Sequence, residues 1–375
     1  MDVSTEIVLS DDHLMRHGQG WPGVPMILVD GLLAMEQSAW LLDLRIRGCS
    51  PHTLTSYAKT LALWLKALAA NDLHWRNIGS GAAERFSAML TREGCANGTV
   101  RLRMIHIQEY YRWAQVKGHI KTLPFHLQRN DGVQSKKAEG SPPVKLANKT
   151  RRSVKPQTRA DFDKVLAATP RKTTSLLLRD ELIAEAARYM GLRRSEVAAL
   201  RVDQFEPLNP SNKTQSIEIF SAKSGRLDSV LVPAPFIKKV QDFISIHRVA
   251  MVEGFQTRDA DYEPPPNIFL NERGKRRGQA VSPDYIGESW RRSSVAAGLD
   301  TRFHDHRSSF GTNAAKAARL ANANTRAIVK ELLRHKHEHT SEIYVKFDEL
   351  QSDRLIRARI VNDGCFDAPT QEHPE

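Results

Sequence analysis

Four separated stretches of the chain carry residue types that act on phosphate esters. They are Gly191-Leu192-Arg193, His304-Asp305-His306-Arg307, Leu332-Leu333-Arg334-His335 and, nine residues past that last histidine, Tyr344. Transfer of a phosphodiester requires a nucleophile, cations to meet the charge that gathers on the nonbridging oxygens, and groups that move protons. Guanidiniums meet such oxygens with paired, planar hydrogen bonds that an ammonium cannot copy, which makes Arg193 and Arg307 the candidates for that task. Tyr344 is the candidate nucleophile. An unperturbed phenol has a pKa of about 10, so it needs cationic neighbours and a nearby base to develop phenolate character as it attacks. His304 and His335 can exchange protons near neutrality and hydrogen-bond the scissile phosphate. Lys223, in the turn Lys223-Ser224-Gly225-Arg226, is suited to be general acid for the departing 5′ oxygen. Such a set would cut and rejoin a DNA strand without metal or nucleotide cofactor.

Each residue also has a plainer reading. Tyr344 in Ile343-Tyr344-Val345 reads as a half-buried core tyrosine, the arginines as solvated helix ends and Lys223 as an ordinary turn lysine. The histidines of His304-Asp305-His306 and His335-Lys336-His337-Glu338-His339 are potential zinc ligands. Neither stretch matches HExxH, no cysteine lies nearby, and alternate histidines do not share a helical face, so no metal site is expected.

The chain has 375 residues, 41% of them apolar, with a formal net charge of +12. That length accommodates two domains with real cores. The positive charge is spread along the whole chain, which favours a polyanionic partner, nucleic acid above all. Cys49, Cys95 and Cys365 are odd in number and widely spaced, which excludes a disulfide framework and a zinc ribbon and fits a reducing cytoplasm. No basic, apolar leader opens the sequence and no run of about 18 apolar residues offers a membrane span, so the expected location is cytoplasmic.

The elements that must position these groups follow from periodicity. Residues 1–30 are broken by Gly18, Gly20, Pro22, Gly23 and Pro25 and read as an N-terminal arm. Residues 31–127 carry four helical segments, one starting at Ser50-Pro51, with aromatics that read as core. Residues 128–157 lose periodicity, and their cationic part gathers Lys136, Lys137, Lys145, Lys149, Arg151, Arg152 and Lys155 against one acid, Glu139. This stretch reads as a basic linker, either a solvated tether or a strap along a phosphate backbone; Lys136, Lys137, Lys149, Arg151 and Arg152 are the candidate DNA contacts. A second domain starts with helices over Arg159–Ala168 and about Thr174–Met190, followed by a hairpin of Ser216–Ser221 and Asp228–Val232. A helix over Phe236–Val252 and several more then run to about Val361. The fold class is mainly α, with a small antiparallel sheet in the second domain.

These boxes, in this order, resemble the tyrosine recombinase, or phage integrase, family, over roughly residues 158–361. Gly191-Leu192-Arg193-Arg194-Ser195-Glu196 resembles the first arginine box, with Arg193 catalytic and Glu196 supporting. His304 and Arg307 match the HxxR box, which leaves His306 without a role. Leu332-Leu333-Arg334-His335 resembles the LLGH box, with Arg334 where the family usually has glycine. Tyr344 stands at the customary distance, and Lys223 falls at the β-turn lysine. The resemblance implies a SAM-like core-binding domain ahead of a catalytic domain over 158–347, and a C-terminal helix and tail over 348–375. It further implies a double-stranded DNA target, a 3′-phosphotyrosine intermediate and no cofactor. Four protomers would act on two sites, with themselves or related recombinases, and exchange C-terminal elements. Leu350, Leu355, Ile356 and Ile360 give that segment an apolar stripe suited either to its own core or to a neighbouring subunit, and the neighbour is the expectation. The implied function is site-specific recombination for a mobile genetic element, such as integration or transposition. The alternatives are a type IB topoisomerase-like relaxase and a noncatalytic DNA-binding member of the group.

Overall fold

The computed structural model describes residues 3–10, 22–128, 142–146, 154–168, 173–205, 213–221 and 225–365, with side chains as far as residue 355. The chain divides into two compact units, residues 1–152 and 153–375.

The first unit opens with strands β1 (Thr5–Leu9), β2 (Pro25–Val29) and β3 (Leu32–Leu33), paired antiparallel in that order. Residues 1–30 are therefore not simply an arm. The glycines and prolines that break a helix do not prevent strand pairing, and Thr5 to Leu9 pair in register with Val29 to Pro25. Val24 and Ile27 are buried, and Ile27 N–H donates to Ser38 Oγ at 3.1 Å. Helices α1 (Met35–Ile46), α2 (Pro51–Ala69), α3 (Ser80–Arg92) and α4 (Asn97–Val116) follow. At the start of α2 the Ser50 hydroxyl accepts from Thr53 N–H, with Pro51 in the first turn, where its missing N–H costs nothing. Trp40, Trp64, Tyr110 and Tyr111 are buried core, as their helical spacing suggests.

Strands β4 (His126–Gln128) and β5 (Pro143–Lys145) pair in parallel. Val144 and Leu146 are buried in the same core. The stretch read as a linker over 128–157 thus returns to the first unit at residues 142–146, because two apolar side chains there find a core to enter. Lys136, Lys137, Lys149, Arg151 and Arg152 lie outside the described residues.

The second unit holds α5 (Arg159–Ala168), α6 (Thr174–Met190) and α7 (Arg194–Ala198), then the antiparallel hairpin of β6 (Thr214–Ser221) and β7 (Arg226–Pro233). Ile217, Ile219, Val230 and Val232 point from the hairpin into the core, at the two-residue period of a half-buried sheet. Helices α8 (Ala234–Asp242) and α9 (Val249–Gln256) are joined by a π-helical turn over Phe243–Arg248, so the expected helix over Phe236–Val252 is one longer element with a widened middle. Then come α10 (Pro283–Ala296), α11 (His304–Leu320), α12 (Thr325–Leu332) and α13 (Glu342–Cys365). The fold is mainly α with small sheets, as expected. Among the described residues no helix is long and apolar enough to cross a membrane.

Candidate active site

Three helix ends and one helix face build the site. Helix α6 stops at Gly191, whose φ of 61° lies in the left-handed region that favours glycine. A Cβ there would also come within 2.5 Å of the Phe310 ring, so glycine is required twice over. The stop places Arg193 immediately before α7. Glu196, one turn on, reaches back: its Oε2 accepts from Arg193 N–H at 2.8 Å and its Oε1 from Arg193 Nη1 at 2.6 Å. The first of these is half of a capping box; the second aligns the guanidinium.

Arg307, on the first turn of α11, is almost wholly buried. Its Nη1 donates to the Gly191 carbonyl and its Nη2 to the Leu333 carbonyl, so it satisfies acceptors at the ends of α6 and α12. Burial pushes the Arg307 guanidinium down to about 9, the charges of Arg193 and Arg334 push the same way, and Glu196 and Tyr344 oppose them. It still carries a proton at neutral pH.

Helix α12 ends in a Schellman turn: His335 N–H donates to Lys330 O at 2.9 Å and Arg334 N–H to Glu331 O at 2.9 Å. The residue after the C-cap Leu333 must then be left-handed. Here it is Arg334, with φ 52°, a conformation that costs an L side chain about 1 kcal/mol more than glycine. Its side chain, only 5% exposed, turns inward and its Nη2 donates to Glu196 Oε2 at 2.9 Å. The turn delivers His335, whose Nδ1 hydrogen-bonds the buried Ser341 hydroxyl at 2.8 Å. The His335 ring lies nearly parallel to the Tyr344 ring, centroids 6.1 Å apart.

Tyr344 sits on the first turns of α13 and is buried against Leu333, Val329 and Ala315. Gly311 of α11 makes room for it, since a Cβ there would come within 2.9 Å of the Tyr344 ring. Arg319 holds α13 onto α11 through buried Asp348 at 2.6 Å. Burial raises the Tyr344 phenol above its ordinary value, while Arg307, a hydrogen bond with Ser308 and Arg193 draw it back. At neutral pH the phenol is protonated, so attack requires a base. Arg193, Arg307, His335 and Tyr344 therefore come together, with Glu196 behind them, in an arrangement able to hold a phosphate diester against a hydroxyl nucleophile.

His304, the first residue of α11, is exposed. It shares with Arg193 a cleft of about 870 Å³ also lined by Arg194, Arg291 and Arg302, together with Asp284, Glu288 and Asp300. Lys223 lies outside the described residues; the strands that flank it remain paired up to Ser221 and Arg226. His306, given no chemical role, packs fully buried against Phe162, Trp290 and Phe303. Among the described residues no group of three or more His, Cys, Asp or Glu is placed to hold a metal ion. Sequence reasoning missed Ser308, Gly311 and Ser341. A glycine inside the helical run His304–Leu320 is a signal of close approach; the two serines carry none.

Two family models match the chain: the phage integrase N-terminal SAM-like domain over residues 38–118, and the phage integrase family over residues 158–350. The second alone spans more than half of the chain. This protein belongs to the phage integrase family. It is a tyrosine-type site-specific recombinase, of the group that cleaves and rejoins DNA strands. Tyrosine recombinase XerC of Alcanivorax borkumensis is 22% identical over 307 residues, covering 80% of this chain and 85% of the relative. XerC of Xanthomonas campestris is 25% identical over 307 residues, covering 80% of each. In fold, the recombinase resembles XerH in a post-cleavage complex with a palindromic difH substrate, at a TM-score of 0.57 and 17% identity over 88% of this chain and 85% of that one. It also resembles the Tn1549 transposon integrase in complex with circular intermediate DNA, at 0.56 and 14% over 82% of this chain and 94% of that one.

Proposed function

We propose that this recombinase joins two specific DNA sites through a 3′-phosphotyrosine link formed by Tyr344, on behalf of a mobile genetic element. One observation carries the reading: Arg193, Arg307, His335 and Tyr344, drawn from separate stretches of chain, converge with the carboxylate of Glu196 behind them. The Tyr344 oxygen attacks phosphorus while His304 accepts the phenolic proton, and the bond from phosphorus to the 5′ oxygen breaks. Lys223 supplies the proton that this oxygen needs. Arg193 and Arg307 hold the nonbridging oxygens, and His335 donates a further hydrogen bond. A 5′ hydroxyl from the partner duplex then attacks the link and releases Tyr344. The ester energy is conserved, so no cofactor is required.

The exposed side chains of Leu350 and Leu355 on α13, 59% and 73% accessible, support a C-terminal segment that docks on a neighbouring protomer on DNA. The side chains of Ile356 and Ile360, read as part of the same stripe, lie outside the described residues. The XerC relatives favour a second reading, resolution of replicon multimers, which uses the same chemistry.

A nicked duplex that traps the covalent complex tests the mechanism. Wild-type protein should become linked to the 3′ end, and Tyr344→Phe should bind DNA yet form no link; a link in that variant would mean another nucleophile. Lys223→Ala should cleave slowly and recover on a substrate whose 5′ bridging oxygen is sulfur, since a thiolate leaves without a proton. Joining of two marked target duplexes, as opposed to relaxation of plasmid alone, separates recombination from topoisomerase action.

A further inference from the structure

The geometry points to Arg334 as a positioning residue for strand cleavage: it shares the charge of Glu196, so that the guanidinium of Arg193 remains available to the substrate phosphate. The assignment rests on the recombinase reading above.

Glu196 is buried and has two acceptor oxygens. Oε1 takes Arg193 Nη1 at 2.6 Å; Oε2 takes Arg193 N–H at 2.8 Å and Arg334 Nη2 at 2.9 Å. Were Arg193 its sole cation, the carboxylate would offset the very charge it aligns, and a phosphate would be left with Arg307. With Arg334 as second counter-ion, three guanidiniums surround one carboxylate and two net positive charges remain. Arg334 also reaches the Gly191 carbonyl at 3.4 Å, the acceptor that Arg307 uses, which ties the pair of helix ends beneath both catalytic arginines.

Three features show that Arg334 is not filler. Its backbone is left-handed without being glycine. Its Nε is buried and has no hydrogen-bond partner among the described residues. Its charge opposes those of Arg193 and Arg307. A glycine would remove all three penalties, so their retention marks a local cost kept for a site-level gain.

The test uses the full chain, the nicked duplex and the variants Arg334→Gly, Arg334→Gln and Arg334→Lys. Gly and Gln should slow formation of the covalent complex by about 10- to 100-fold, with DNA affinity within about threefold, because the lost contact acts at the transition state. Lys, which keeps the charge, should stay within about fivefold of wild type. The acid limb of the rate profile should move as well. Burial pushes the Glu196 carboxyl up, but Arg334 and Arg193 hold it below the usual carboxylate range. The groups that face it are Arg193 from its own loop, Arg334 after α12 and Arg307 from α11, and Asp228 of β7 faces Arg334 in turn. Without Arg334, Glu196 takes a proton at higher pH and releases Arg193, so the limb shifts upward; loss of packing alone would leave it in place. If wild type forms the link while Gly and Gln match it in rate and profile, the assignment of Arg334 is overturned and the recombinase reading stands. If wild type forms no link, the recombinase reading itself is overturned. Should Gly and Gln fail to fold, Lys decides: near-wild-type cleavage supports the assignment, and a 100-fold loss with the limb unmoved overturns it.

Discussion

The two units bury polar groups of different kinds. In the first, the buried polar side chains among the described residues are neutral: Ser10, Gln37, Ser38, Thr60, His106 and Gln108. They are matched within an aromatic core. Gln37 donates to the Tyr110 hydroxyl at 2.6 Å, Trp64 donates to the Tyr111 hydroxyl at 3.2 Å, and Tyr111 donates to the Trp75 carbonyl at 2.9 Å. Burial pushes the His106 imidazole down to about 4, so it too stays uncharged. The second unit buries Arg179, Asp180, Glu185, Glu196 and Arg307, and turns Arg334 inward as well. Charge buried in this way stabilises little, since desolvation offsets the attraction. Around Tyr344 it organises cations for chemistry instead, whereas Arg179, which donates to the Leu270 carbonyl and the Tyr285 hydroxyl, cross-links the fold.

Four substitutions probe this contrast. Arg307→Ala should have the largest effect: it takes the guanidinium from the Leu333 carbonyl and leaves the Gly191 carbonyl only the 3.4 Å contact from Arg334, which should cost on the order of 3 kcal/mol of stability, with cleavage reduced about 1000-fold. Chemical denaturation and the trapped-complex assay read the two losses; near-wild-type cleavage would show that the buried cation is structural. Gly311→Ala comes next. Its new methyl meets Tyr344 and Leu333, which should destabilise by about 2 kcal/mol and slow cleavage by displacing the nucleophile. Tyr111→Phe in the first unit should cost about 1 to 2 kcal/mol, because Trp64 loses its acceptor, yet leave the cleavage rate of the bound complex unchanged. A rate that fell with it would break the division between a neutral scaffold and a charged site.

The smallest effect at neutral pH belongs to His306→Leu. Burial pushes the His306 imidazole down to about 3, assisted by the charge of Arg188, from an ordinary value of 6.5. Its neutral burial therefore stabilises fully above pH 6.5, and the contribution declines as the pH falls toward 3, because the unfolded chain takes the proton first. Melting temperature followed from pH 7 to 4 should fall less steeply in the variant; an unchanged slope would place the acid sensitivity elsewhere.

Much of the fold was legible because helical periodicity and caps are local. Arg159–Ala168 forms the helix expected of it, and Ser50 caps as its type suggests. The N-terminal sheet was not legible, since β1 and β2 pair across a span whose glycines and prolines indicate only where a helix cannot run. The return of Val144 and Leu146 to the first core was hidden by the cationic residues around them. At the site, residue identity and spacing singled out Arg193, Arg307, His335 and Tyr344 as partners, but did not reveal the glycine at 311 that admits the tyrosine ring.

Residue types set the chemistry available to this chain: a phenol, guanidiniums and imidazoles in a fixed order, on segments whose periodicity makes them helices. Proximity was another matter. Only tertiary structure decided that Arg307 would join the ends of α6 and α12 and that Arg334 would turn inward to Glu196. The physical reason is range: caps and periodicity act within one or two turns, whereas the carbonyls and carboxylate that orient these cations lie up to 143 residues away along the chain.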